Sequence, residues 1–415
     1  MSDDDDKTEI FSLQNIYQNL NLDYYLPHQS LFLDDKIDVE DRENYNSIYS
    51  TLYLLSNSKF LMEHFLNLNE DKLNGKLKIF FHMIQLAYDT IKDLKDSQND
   101  MTNSKVKNSD KKNYYELINL TIKKFIKDKK IDPRRLIADI LFQTLRNSKN
   151  YSNSSDTLIN NSNGSKQIQI GSEESYSFEI FCDLIPDDFA NSSSFSLSNN
   201  VDKSYENIYS LIDESQISDI EKNSKDIILK VEVNNEKKFI PIPINFIIFN
   251  LSEEGDKIYK FEDCFQNFLE KIDQKRYPFI KKKFFYKLPE TLIILLFFGK
   301  NKETPENCKY AFKEVIDFSK SEYANLIDGD VKSKKYRLSG LMACKLPGNK
   351  QERFFYTFSR KNKNDNDNGY YLYNTREKEI HEENDVNNKL QKNEKVNKTG
   401  STSYPYVLIY NEIKN

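Results

Sequence analysis

Cysteine and histidine are the side chains that most readily supply nucleophilic, acid–base or metal chemistry near neutral pH, and this chain has four of each. The cysteines are Cys182, Cys264, Cys308 and Cys344; the histidines are His28, His64, His82 and His381. A thiol hydrolase needs a thiolate, an imidazole to take its proton and a third group to orient the ring. A structural zinc site needs a tetrahedral set, commonly built from close Cys pairs. The cysteines here are widely spaced and form no CxxC, and Cys264 and Cys308 stand without a near His or second Cys. No metal and no cofactor is expected. A lone buried Cys is ordinarily a small, inert hydrophobe.

The elements that would position such groups come from a 415-residue chain, long enough for one large domain or two ordinary ones. Hydrophobic residues make up 38%, including 28 Phe and 26 Tyr, so a sizeable core can be buried. The formal net charge of -5, with both signs interspersed, gives no basic footprint for nucleic acid. Lys127–Lys130 and Lys281–Lys283 read as solvated faces. Sparse cysteine argues for a reduced intracellular protein of cytoplasm or nucleus. The longest apolar runs, Phe239–Phe249 and Leu292–Phe298, are too short to span a bilayer, so no membrane partner is expected. Ser2–Lys7 reads SDDDDK, either a native acidic tail or a cloning remnant.

Apolar residues recur at helical spacing over Tyr45–Leu68, with Ile48, Leu52 and Leu55, and again over Lys76–Leu94. Helices are also expected at Tyr114–Ile126, at Arg134–Leu145 (opened by Asp132-Pro133) and at Ser175–Ile185. The pattern then turns to strands: Asp226–Val233, parts of Phe239–Leu251, Lys283–Phe298, Phe312–Phe318, Tyr336–Lys345, Phe354–Arg360, Tyr370–Asn374 and Tyr404–Tyr410, with a short helix at Phe261–Ile272. Polar, low-complexity insertions are expected near 147–172, 191–204, 361–368 and 377–402. Helices first and an antiparallel sheet second make an α+β layout.

Several segments, in order, resemble the ubiquitin-specific protease family. Tyr286-Lys287-Leu288-Pro289-Glu290-Thr291-Leu292-Ile293-Ile294-Leu295 is similar to its LPxxLxxxLxRF strand, and Phe312–Ser319 to the FPxxLDLS segment. Tyr336–Leu341 resembles YxLxGV, Phe354–Arg360 the strand that carries the catalytic His, Tyr371–Asn374 the WxxFND segment, and Tyr404–Tyr410 the closing AYxLFY strand. Asn44–Asn57 (NYNSIYSTLYLLSN) is similar to NTCYMNSxLQxLxN, while Asp132-Pro133 and Glu174–Leu184 weakly echo the DAxEFLxxLLxxL helix. The resemblance implies a papain-like fold of this family's type. A polar tail over 1–40 would precede one domain over 41–413, with a mainly helical thumb at 41–190 and a mainly β palm and fingers at 226–413.

At the family's site positions this chain departs from the pattern. The resemblance puts Asn46 where the family has its nucleophilic Cys at the start of the first thumb helix, and Phe354 where it has the His of GHY. Asn374 matches the orienting residue and Asn44 the oxyanion donor. A carboxamide gives no thiolate and a phenyl ring accepts no proton, so the expectation is a site without activity, with Asn46 serving as an ordinary helix N-cap. No His lies between Gly340 and Tyr373, where the family places its base, and a Cys182–His381 pair would be a new active site. Three readings follow from the resemblance: a module that binds ubiquitin or a ubiquitin-like protein without hydrolysis, an active cysteine-type deubiquitinase using Cys182 or another thiol, and a scaffold subunit held by other protein partners with no ubiquitin role.

Overall fold

A computed structural model describes residues 39–56, 132–134, 136–138, 141, 227–233, 236–242, 246–251, 258–270, 280–298, 309–346, 354–360, 369–374, 379–383 and 402–414. The helices expected at Lys76–Leu94, Tyr114–Ile126 and Ser175–Ile185, and the insertions near 147–172, 191–204 and 361–368, lie outside these residues. The described elements mix helices and sheets, an α+β fold. The chain divides into two compact units: Met1–Leu136 with Met342–Val386, and Ile137–Leu341 with Asn387–Asn415.

In the first unit the helix α1 (Val39–Ser56) is followed by the strands β10 (Phe354–Arg360), β11 (Tyr370–Asn374) and β12 (Glu379–Glu383), an antiparallel run in the order β12–β11–β10. Tyr356 pairs with Asn374 and Thr357 with Tyr373, while Leu372 pairs with His381. β12 is a correction, since 377–402 reads as a polar insertion. Its five residues carry only one apolar side chain, and it is main-chain pairing to β11 that makes it a strand. The Asp132-Pro133 signal is realised: Asp132 Oδ1 accepts from the Arg134 backbone N–H at 2.8 Å, and helical residues begin at Pro133.

Strands of three sheets lie in the second unit. β1 (Ile227–Val233) lies between β2 (Glu236–Ile242) and β5 (Ile280–Lys287), antiparallel to both. β6 (Thr291–Phe298) pairs antiparallel with β13 (Thr402–Glu412) and parallel with β3 (Phe246–Leu251). β4 (Ile258–Lys260) runs parallel to β7 (Lys309–Ala311), and β8 (Val315–Asp317) pairs antiparallel with β9 (Lys335–Leu346), whose residues up to Leu341 belong to this unit. The sheets are therefore mixed rather than antiparallel throughout. The parallel β3–β6 pair requires a crossover, and β4, α2 (Phe261–Glu270) and β5 supply it in sequence.

Sequence explains these elements directly. In α2 the buried residues are Phe261, Cys264, Phe265, Phe268 and Leu269, one apolar stripe, while Asp263, Gln266, Asn267 and Glu270 face water. Phe265 meets Phe249 of β3 at 5.1 Å and Phe285 of β5 at 5.5 Å between ring centroids. β6 is a continuous apolar run whose residues 291–297 are all buried, as expected of a central strand covered on both faces. The Pro241 and Pro243 pair splits the Phe239–Leu251 run. Pro241 is tolerated because β2 has a partner on one side only among the described residues, and the strand ends at Ile242.

The expected Phe312–Phe318 strand shrinks to the three residues of β8. Asp317 closes it by accepting from the Ser319 backbone N–H at 3.1 Å and hydroxyl at 2.6 Å, a local turn that competes with continued pairing. No described helix is long and apolar enough to cross a membrane.

Candidate functional site

Asn44 and Asn46 lie on α1, Phe354 at the start of β10 and Asn374 at the end of β11, all within the first unit. Asn46 corrects the N-cap expectation. The helix begins at Val39, seven residues earlier, so Asn46 is two turns inside it. The unsatisfied N–H groups that favour an anion belong to the first turn, and the Asn46 backbone N–H is already committed to the helix.

Burial adds to this. All residues from Tyr45 to Leu55 are buried, as is Glu43, while Asn44 is half-buried. A helix covered all round must satisfy its polar side chains internally. Ser47 Oγ donates to the Glu43 carbonyl at 3.0 Å and Thr51 Oγ1 to the Ser47 carbonyl at 2.8 Å, each reaching back one turn. Asn46 Oδ1 and Ser50 Oγ are buried with no hydrogen-bond partner among the described residues.

Tyrosines seat the helix. Tyr45, Tyr49 and Tyr53 recur every four residues; Tyr49 and Tyr53 meet Tyr373 of β11 at 5.2 Å and 4.4 Å between ring centroids. Thr357 of β10 donates from Oγ1 to the Ser50 carbonyl at 3.4 Å. Thr357 and Tyr373 are register partners, so both present their side chains to α1. Strand alternation places the neighbouring pair, Tyr356 and Asn374, on the opposite face, together with Phe354. Phe354 and Asn374 are both buried, at 7% and 3% exposure. The mapped positions thus occupy adjacent elements, with α1 on one face of the two strands and Phe354 and Asn374 on the other. The tyrosine stripe was readable in the sequence as an i, i+4, i+8 repeat; the Ser50–Thr357 contact, 307 residues apart, was not.

The thiols give no alternative among the described residues. Cys264 and Cys344 are both buried and neither is bridged, and no group of three His, Cys, Asp or Glu could hold a metal there. Cys182 and Cys308 lie outside the described residues, and His381 is placed only as a strand residue of β12.

No protein-family model and no curated protein matches the sequence. Among solved structures, a chain of the Ubp8–Sgf11–Sgf73–Sus1 DUB module of SAGA aligns with TM-score 0.44 and 12% identity, covering 100% of this chain and 76% of that one. A chain from a form of the module with altered Ubp8 and shortened Sgf11 aligns with TM-score 0.44 and 12% identity over 99% and 76%.

A second polar cluster, in the second unit, was missed at the level of sequence because its members are brought together only by the fold. Lys313 pairs with Glu262 at the start of α2 and with Glu322 at 2.7 Å, and its ammonium lies 5.3 Å from the Tyr323 ring centroid. Burial opposes charge on Lys313, yet hydrogen bonds to Glu262 and Glu322 lift its pKa above the usual lysine value. Burial likewise pushes Glu262 up, and the Lys313 contact overrides it to hold the carboxyl low. Burial raises the Tyr323 phenol to about 12. The paired cluster ties α2 to the loop before β9.

Proposed function

We propose that this chain is a non-hydrolytic counterpart of the ubiquitin-specific proteases, holding ubiquitin or a ubiquitin-like protein as an interaction module. The observation that carries the reading is the setting of Asn46. The position matching the family's nucleophile bears a carboxamide, lies two turns inside a buried helix and lacks the open helix N-terminus that would favour a thiolate. Phe354, at the matching base position, is buried and aromatic. Grip and chemistry are separable contributions, so loss of the second leaves the first intact.

The Tyr336–Leu341 segment, similar to a family strand beside the ubiquitin tail, is mostly core. Tyr336 and Leu338 are fully buried, and the Tyr336 hydroxyl donates to the Pro289 carbonyl at 2.8 Å. Its half-buried members, Arg337 and Ser339, are the side chains through which it can be probed.

The test is a titration of isotope-labelled ubiquitin, carrying a small C-terminal tag, followed by NMR. Shifts with the tag still attached, weakened by Arg337→Glu, are expected. Tag release would return the reading to an active thiol hydrolase. Neither shifts nor release would leave the scaffold reading, with protein partners other than ubiquitin.

A further inference from the structure

Asn46 Oδ1 and Ser50 Oγ are four residues apart on α1 and therefore share one face of the helix. Side chains so spaced have Cβ atoms about 5–6 Å apart. An oxygen placed between them reaches both at ordinary hydrogen-bond length, roughly 2.8 Å. Other hydroxyls of the helix behave differently: Ser47 and Thr51 reach back to carbonyls one turn earlier, which Ser50 Oγ does not. Left orphaned, each buried polar group would shift the folding equilibrium against the native state by roughly five- to a hundredfold. A third oxygen stands at the same turn. Thr357 Oγ1 is 3.4 Å from the Ser50 carbonyl, long for a hydroxyl donor, so its hydrogen-bonding capacity is not exhausted there.

We propose that α1 and β10 enclose an ordered water between Asn46 and Ser50. The water donates to Asn46 Oδ1, exchanges a hydrogen bond with the Ser50 hydroxyl and has Thr357 Oγ1 as its third partner, the number a buried water ordinarily makes. The three protein groups are neutral, which suits water rather than an ion. Its role is to pin α1 to β10, so that the residue at the nucleophile-like position is a structural anchor. The inference holds whether or not the chain binds ubiquitin.

Oxygen-17 magnetic relaxation dispersion on the full chain counts long-lived buried waters. Asn46→Leu and Ser50→Ala are each expected to lose the same single water, and the double variant to lose one rather than two. In parallel, amide exchange of α1 should accelerate about three- to tenfold in each single variant, with the double variant no faster than the worse single. Unchanged dispersion in both singles, or α1 amides equally or better protected with additive effects, would overturn the proposal. Should a variant fail to fold, a high-resolution crystal structure of the unaltered chain decides: density between Asn46 and Ser50 supports the water, and side chains filling that space overturn it.

Discussion

The second unit and the helix α1 of the first handle polar side chains differently. In the second unit, charges are paired across elements: Lys313 with Glu262 and Glu322, Lys230 with Asp328, Lys334 with Glu412 at 2.7 Å, and Lys335 with Asp317 at 3.1 Å. In the first unit Arg134 likewise pairs with Asp132, but on α1, beyond the buried Glu43, the polar side chains from Asn46 to Thr51 are neutral amides and hydroxyls sunk among tyrosines, and two of their oxygens have no hydrogen-bond partner among the described residues. Paired charges fix a fold and resist rearrangement. Unmatched neutral groups violate a rule that folds usually obey, and such violations concentrate where something beyond packing is at stake. The difference sets the neutral interior of α1 apart from the charge-paired second unit.

The largest effect should come from the aromatic centre of the second unit. Phe265 is fully buried and its ring meets those of Phe249, Phe261, Phe285, Phe318 and Tyr323. Phe265→Ala should destabilise by about 3–5 kcal/mol, a transfer loss plus the cavity left behind. Urea unfolding followed by amide exchange in α2 and β5 peptides would read it. A loss under about 1 kcal/mol would mean that this unit, too, is loosely held, and the contrast would fail.

Next in size is Gly329. Its φ of +61° is left-handed, and a Cβ there would stand 2.7 Å from Tyr286 Cε2. Gly329→Ala should therefore cost about 1–2 kcal/mol, from backbone strain and from displacing the Tyr286 ring off Phe239, which it meets edge-on at 4.8 Å. Pairing it with Tyr286→Ala should recover the clash part and leave the backbone part, a sharper statement of how tightly this loop is set.

A smaller effect concerns pH. The hydrogen bond from Lys230 holds the Asp328 carboxyl well below the ordinary carboxylate range, aided by the Gly329 backbone N–H and by Lys332. A depressed folded pKa stabilises fully above the unfolded value near 3.9, and the contribution is lost as pH falls through the folded one. Stability of the second unit should therefore decline below about pH 4, and Asp328→Asn should flatten that slope. Both partners are partly solvated, so the difference at pH 7 should be no more than about 1 kcal/mol. Equal acid slopes in the two proteins would remove Asp328 from the account.

Much of this contrast was legible before the fold. The apolar run of β6, the amphipathic stripe of α2, the alternation of β1 and the aromatic and β-branched content of β10 and β13 announce themselves in the sequence. The identities of Asn46, Phe354 and Asn374 were equally plain. What sequence hid was setting. Tyr45 reads as the first apolar residue of a helix, since Val39–Asn44 is polar and charged apart from its valine, yet α1 begins at Val39. That displacement turns Asn46 from a helix start into a helix interior. β12 stayed hidden for the related reason that an edge strand can be defined by its neighbour's main chain rather than by its own side chains.

The smallest expected effect is no effect, and it bears most directly on the contrast. Placing the ubiquitin-specific protease pair at the matched positions, with Asn46→Cys and Phe354→His, supplies a thiol and an imidazole, with Asn374 at the position matched to that family's orienting residue. If identity were all that is missing, the double variant would release the tag from the ubiquitin fusion. Setting argues otherwise. A thiol at this position sits inside a buried helix, where desolvation favours the neutral form, and the dipole that would lower its pKa acts two turns away at the helix start. The imidazole at 354 would share a strand face with Asn374 but not with the residues that meet α1. Release should stay at the level of the unaltered chain, measured with the fusion in excess and the variant's fold checked by amide exchange of α1. Cleavage above that level would show that the first two turns of α1 open in solution, bringing position 46 back to a helix start.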